Sequence, residues 1–379
     1  MEADGQKSDL SVLHIGAGRY SPGDVEHSTF GIWRALAERV QRYTVVGRSK
    51  TGPAARFSSA GVDVRLIPSW TDREVEFLFS QFRANRIARE VNPNVIIAQC
   101  PVLGGLVGCQ IAQRLGAKLL IEFHSSNYFE IHPRLSRYGI IEALTRRTLP
   151  HARRIRVLSE GMRKKLVERY GEGFAARTVV LPPRVDLSRF SAVKTDYRIS
   201  ARPKIVVVGS VNSRKNQLGL LRAVLPSSLD AEIWIVGAGP DIPACRAAAA
   251  EAGAADRVSF FGQVNHTELA DILPRADAFV LFSTHEGTPR AILEAMAVGL
   301  PIVTTNAGFC ADIVEDGVEG VILRRNPHEE IVPRLEELFA NQALRERLGA
   351  AARQRAAAEF NSVDLFDRYR ALIVETAQG

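Results

Sequence analysis

Short β-branched runs alternate with longer helical stretches along most of this chain, and that spacing restricts the fold more than any other feature. Strand, helix, strand at such intervals is the pattern of parallel βαβ units. In the first half it predicts strands at 11–15, 44–46, 62–67, 95–98, 118–122, 154–158 and 179–181, with helices at 30–41, 74–91 and 103–115 among those between them. From 181 to 204 the period is lost among Pro182, Pro183 and Pro203, which reads as a linker. A second series follows at 205–208, 232–236, 258–261, 278–282, 302–304 and 321–323, and everything beyond His328 reads as helix. The expectation is an α/β protein of two doubly wound parallel-sheet domains, 1–195 and 196–360, with a cleft between them. Ligands of such sheets bind beyond the carboxyl ends of the strands, so the loops there are where chemistry is sought.

Composition agrees with a folded chain of this size: 379 residues, 46% hydrophobic and 24% charged. The net charge of +7 is unevenly spread. Residues 1–199 hold 31 basic against 19 acidic side chains, whereas the remainder holds 18 against 23. A basic half of this kind implies an anionic partner. Its densest part, Glu142 to Tyr170, fits a solvated helix face or a contact with an anionic surface. It lacks the interleaved aromatics of nucleic-acid binders, so none is expected. Cys100, Cys109, Cys245 and Cys310 have no metal-ligand spacing, and neither metal nor cofactor is expected. The polar start MEADGQKSDL and the lack of an apolar run near ~18 residues point to a cytoplasmic protein, at most peripheral at the inner face of a membrane.

Four loops carry the chemistry. After strand 278–282 comes His285, Glu286, Gly287, Thr288, Pro289, Arg290, Ala291. Thr288 reads as an N-cap with Pro289 at the first helical position, leaving the amides of Arg290 and Ala291 free for an anion. Glu294 then lies one to two turns into an apolar helix, partly buried and in need of hydroxyl or amide partners. After strand 205–208, Gly209 allows a sharp turn at Ser210, and Arg214 and Lys215 precede a helix, a pairing suited to a diphosphate. After strand 232–236, Gly237 and Gly239 form half of a dinucleotide fingerprint without its third glycine, which disfavours NAD. Phe261 to Val264 end a strand and could present backbone groups to a base.

In the first half, Gly16, Gly18, Arg19, Tyr20, Gly23 and Asp24 form a Gly-rich loop that matches no P-loop. His124 ends strand 118–122, at the edge where ligands bind.

Taken together these residues resemble the retaining nucleotide-sugar glycosyltransferases of family 4, whose fold is GT-B. The specific part is Glu286 and Glu294, seven residues between them, inside EGTPRAILEAMAVGLPIVTT; RKNQ at Arg214 to Gln217, GAGP, FFGQV and VEDGVEGVIL fall in family order. The resemblance implies metal-independent transfer of a sugar from a UDP- or GDP-type donor to an acceptor, with a lipid-linked or cell-envelope glycan expected. Lys215 would hold the donor diphosphate, Glu294 the ribose hydroxyls, and Glu286 would sit near the transferred sugar. The backbone from Gly287 to Ala291 would meet phosphate and sugar, His124 would contact the sugar, and the final helix, 361–379, would pack back on the first domain. Three positions depart from the family's common pattern: Ser210 stands where Arg is usual, Gly23-Asp24 where a double glycine is usual, and Pro182-Pro183-Arg184 where PNG is usual. A sugar-nucleotide epimerase, or a donor-binding partner of another transferase, would share much of this set.

Overall fold

The computed structural model describes residues 8–23, 28–71, 73, 76–79, 81–129, 137–199 and 201–378. They divide into two units, Met1–Leu181 with Asp364–Gly379, and Pro182–Val363.

The first unit holds β1 (Ser8–Tyr20), β2 (Val40–Ser49), β3 (Ala55–Ser59), β4 (Val62–Ile67), β5 (Val95–Ala98), β6 (Lys118–Glu122), β7 (Arg154–Val157) and β8 (Thr178–Val180). Their order in the sheet is β3-β4-β2-β1-β5-β6-β7-β8, parallel except for the antiparallel pair β3 and β4. Strand β3 was not foreseen. Its alternating half-buried and exposed residues mark an edge strand, which leaves no apolar run to read. The Gly-rich segment also differs from expectation. Residues Gly16 to Tyr20 continue β1 rather than forming a loop, through a register shift against β2 between Ile15 and Arg19. Small residues permit this extension, with the Tyr20 ring lying close over Gly18 and Gly47.

The second unit holds β9 (Lys204–Val208), β10 (Glu232–Val236), β11 (Val258–Gly262), β12 (Ala278–Leu281), β13 (Ile302–Thr305) and β14 (Gly320–Leu323), all parallel, in the order β11-β10-β9-β12-β13-β14. This is the doubly wound order in which the chain reverses direction between the first and fourth strands, here β9 and β12. Fully buried Val206, Phe279, Ile292 and Ile302 pack one face of the sheet, and Ile205, Ile233, Val280 and Val303 the other.

The boundary falls at 181/182 rather than at 195. The stretch after Leu181 is irregular yet anchored within the second unit, which is why a composition break overshoots it. Lys194 pairs with Asp277 at 3.2 Å, both buried, and the Tyr197 hydroxyl donates to Gly299 O at 2.7 Å. Buried Arg345, from the helix Gln342–Glu359, donates from Nε and Nη2 to Tyr197 O at 3.1 and 2.7 Å. Its Nη1 donates to Leu338 O at 2.9 Å and Phe339 O at 2.6 Å. Replacing Arg345 by Met strands these acceptors. We predict a loss of about 2 kcal/mol, read as a fall of about 4–8 °C in the unit's heat-unfolding midpoint; an unchanged midpoint would contradict the anchoring.

Candidate functional site

The reversal between β9 and β12 brings together the two loops that carry most of the charged residues singled out above. Thr284 N, after β12, donates to Arg214 O at 2.8 Å, tying the loop after β9 to it. Lys215 Nζ meets Glu286 Oε1 at 2.6 Å, and Ser283 Oγ donates to the same oxygen at 2.5 Å. Both partners are mostly buried, at 19% and 8% side-chain exposure, so the pair is shielded from salt more than a surface pair. Asn212 Oδ1 accepts from the amides of Arg214 and Lys215, both at 3.1 Å, fixing the turn that aims Lys215. Arg214 and Ser210 are exposed.

Backbone packs directly on backbone here. A β-carbon at Gly237, φ +145°, would lie 2.0 Å from Gly209 O, and one at Gly308, φ +57°, would lie 1.9 Å from Glu286 O. No side chain is tolerated at either point. Gly209 N donates to Val236 O at 3.0 Å, Val211 N to Ala238 O at 3.0 Å and Asp241 N to Val211 O at 3.2 Å, so the loops after β9 and β10 run side by side. Val264, after the edge strand β11, packs half-buried on the core.

The helix beginning this site is Arg290–Ala297, and its N-cap is Pro289, extended at φ −73° and ψ 115°, with no side-chain cap. Thr288 therefore does not cap it. Proline's fixed φ also serves an extended cap residue, so the PR boundary shifts by one position. Gly287 O accepts from Phe309 N at 3.1 Å, fastening this loop to the one after β13.

Glu294 lies inside that helix with 13% side-chain exposure, and His266 Nδ1 is 3.5 Å from its Oε1. Burial, opposed only partly by Arg290 and Arg189, pushes its carboxyl up to about 7. It is thus poised between donating and accepting at neutral pH.

In the first unit, His124 is exposed at the end of β6, with Nε2 3.0 Å from Glu122 Oε2. Arg19 is spent on the backbone, donating to Ser49 O at 3.2 Å and Lys50 O at 3.1 Å. Tyr20 packs edge-on against Trp33 at 5.0 Å, a structural place rather than an open loop. Gly23 is exposed in a short turn, and Asp24 lies outside the described residues. Among the described residues no cluster of His, Cys, Asp and Glu could hold a metal, and no helix is long and apolar enough to cross a membrane.

Several residues of these sites were not anticipated. Ser283 and His266 gave no signal beyond lying next to motifs. Glu122 and Arg156 did give one: opposite charges in two apolar strands, which prove to be register partners of β6 and β7.

Comparison with known proteins bears on this arrangement. The family described as "Glycosyl transferases group 1" matches residues 193–355, and "Glycosyl transferase 4-like domain" matches residues 23–184. The chain belongs to the family 4 glycosyltransferases. Its GT-B fold is shared with sucrose-phosphate synthase from Thermosynechococcus elongatus, at TM-score 0.79 and 20% identity over 96% of this chain and 99% of that one. It is likewise shared with Anabaena Alr3699/HepE, solved in complex with UDP, at TM-score 0.75 and 16% identity over 96% and 100%. A GDP-mannose-dependent alpha-(1-6)-phosphatidylinositol monomannoside mannosyltransferase of Mycobacterium tuberculosis is 31% identical over 206 residues, 50% of this chain and 53% of that relative. The match thus spans about half the length of that curated relative. In this family 4 chain the pair of glutamates has two environments: Glu286 engaged by a cation, Glu294 buried beside an imidazole.

Folding raises the Glu294 pKa from 4.5 to about 7, so its ionisation opposes folding. The stability it allows is fully present below pH 4.5 and is lost as pH climbs toward 7. Relative to Glu294→Gln, we predict that the wild-type chain loses roughly 3 kcal/mol across that window. Denaturant titrations of both proteins across the range check it, and parallel curves would refute it.

Proposed function

We propose that this chain transfers a sugar from a nucleoside-diphosphate sugar to a cell-envelope glycan or glycolipid, keeping the anomeric configuration and needing no metal. The observation carrying the reading is the switch point of the second unit, where Lys215, Arg214 and the start of the helix Arg290–Ala297 gather beside the β9 and β12 loops. Positive charge beside a helix N-terminus suits a diphosphate.

As the bond from the anomeric carbon to the diphosphate breaks, negative charge grows on the leaving oxygens. Lys215 and Arg214 offset it, and one such donor is typically worth about 3–4 kcal/mol. Glu286, held by Lys215 and Ser283, orients the cation rather than serving as a free nucleophile. Same-face attack follows: the acceptor hydroxyl adds to the anomeric carbon as the phosphate departs, and a phosphate oxygen takes its proton. Glu294, with its carboxyl near neutrality, suits hydroxyls that both donate and accept, such as those of ribose. His124 would meet the sugar. The basic first half, with its surplus of 12 positive charges, favours an anionic acceptor. The glycolipid substrate in the mycobacterial relative's name supports the acceptor class, and UDP in the Anabaena structure supports a nucleotide at such a fold.

The test is turnover of UDP- and GDP-sugars with an envelope lipid extract, with and without EDTA. Lys215→Ala is predicted to cut turnover about 100-fold or more. Near wild-type activity would sink the assignment; turnover to free nucleotide without an acceptor would favour an epimerase. Product NMR reads the anomeric configuration. Separately, a panel of UDP, GDP, ADP and their sugars should raise the melting temperature with one base only. At about 100 times its Kd the preferred nucleotide adds about 2.7 kcal/mol, and no shift with any of them would reject a donor site.

A further inference from the structure

Buried in the first unit is a charged cluster that the diphosphate chemistry does not use. Glu122 is 1% exposed, yet both of its oxygens are engaged. Oε1 accepts from Arg156 Nη1 at 2.7 Å and from the Tyr369 hydroxyl; Oε2 faces His124 Nε2 at 3.0 Å. The Arg156 guanidinium also lies 4.6 Å over the Tyr369 ring. Burial alone would raise the Glu122 carboxyl, but Arg156 and then His124 override it and hold it well below the ordinary range. His14 faces the same cluster and is lowered to about 4, chiefly by its own burial. The groups around Glu122 are therefore one cation, a neutral buried imidazole, a phenol and His124.

An ionised carboxylate only accepts hydrogen bonds. His124 Nε2 must then carry a proton, and in the neutral ring Nδ1 is left as an acceptor. The same Arg156 donates from Nε to Leu181 O at 3.3 Å, the last residue before the chain leaves this unit, while Tyr369 lies on the segment that returns to it.

We propose that Glu122 is a positioning residue for His124: held in place by Arg156 and Tyr369, it fixes the Nε2–H tautomer and presents Nδ1 as an acceptor for a sugar hydroxyl. The inference rests on the proposed role of His124 only for its effect on turnover. A carboxylate that orients an imidazole by its far nitrogen is a recurring way of fixing ring tautomer and aim.

The experiment uses the full-length chain with 15N-labelled histidine, His124 being assigned by its loss in His124→Asn. In the wild type the ring is expected to show a protonated Nε2 and an unprotonated Nδ1. Glu122→Gln should abolish that preference, giving a tautomer mixture, and should lower kcat 10- to 100-fold with KM changed less than threefold. Because that variant leaves Arg156 buried without its counter-charge, Glu122→Gln/Arg156→Gln removes both charges and should show the same two effects. Tyr369→Phe, which takes one donor from Oε1, should give the same changes in smaller degree. Wild-type tautomer in the Glu122 variants would overturn the proposal. A lost tautomer preference together with full activity in His124→Asn would instead leave Glu122 as the positioner and remove His124 from the reaction.

Discussion

The second unit depends on backbone approaching backbone at its switch point. Gly237 against Gly209, and Gly308 against Glu286, bring four loops closer than any side chain would allow. That closeness lets Lys215 reach Glu286 across 71 residues of sequence and lets Thr284 bond Arg214. Strand ends are thus packed together by removing side chains, and the charged pair Lys215 and Glu286 is set among them. The sheet order brings these loops together, the glycines let them touch, and Asn212 and Ser283 hold the charged groups in place.

Much of this was legible because parallel strands buried on both faces announce themselves as apolar runs. Every such run became a strand: β4, β5, β6 and β10 kept the expected limits, β1 and β2 extend three to five residues beyond theirs, and the others shift by one residue. What was not legible had physical reasons. The edge strand β3 is half exposed and therefore unpatterned. The segment 182–195 has no period because it forms no regular element; buried Val185 and Phe190, the Lys194–Asp277 pair and, just beyond, Tyr197 hold it to the second unit through contacts that no local pattern announces. Thr288 looked like a cap because threonine before proline is a common helix start, but the chain delays its first helical turn to Arg290.

The site was readable at its motifs and silent at its supports. Glu286, Glu294, Arg214 and Lys215 stand in spacings that advertise themselves. Ser283, His266 and Tyr369 matter only through their contacts, which depend on pairing between distant strands and helices. The Gly-rich segment of β1 shows the converse: glycines that suggested a loop instead make room for the Tyr20 ring and a strand irregularity.

The first unit's core takes residues from both ends of the sequence. Leu365, Tyr369, Leu372 and Ile373 are buried with Val12, Trp33, Val45 and Leu120. During synthesis from the N-terminus, the second unit, continuous from Pro182 to Val363, has all of its residues available before the first does. The half that is made first is the one that can be finished only last, so until the ribosome delivers the closing helix, a patch of that early core stays open to chaperones and proteases.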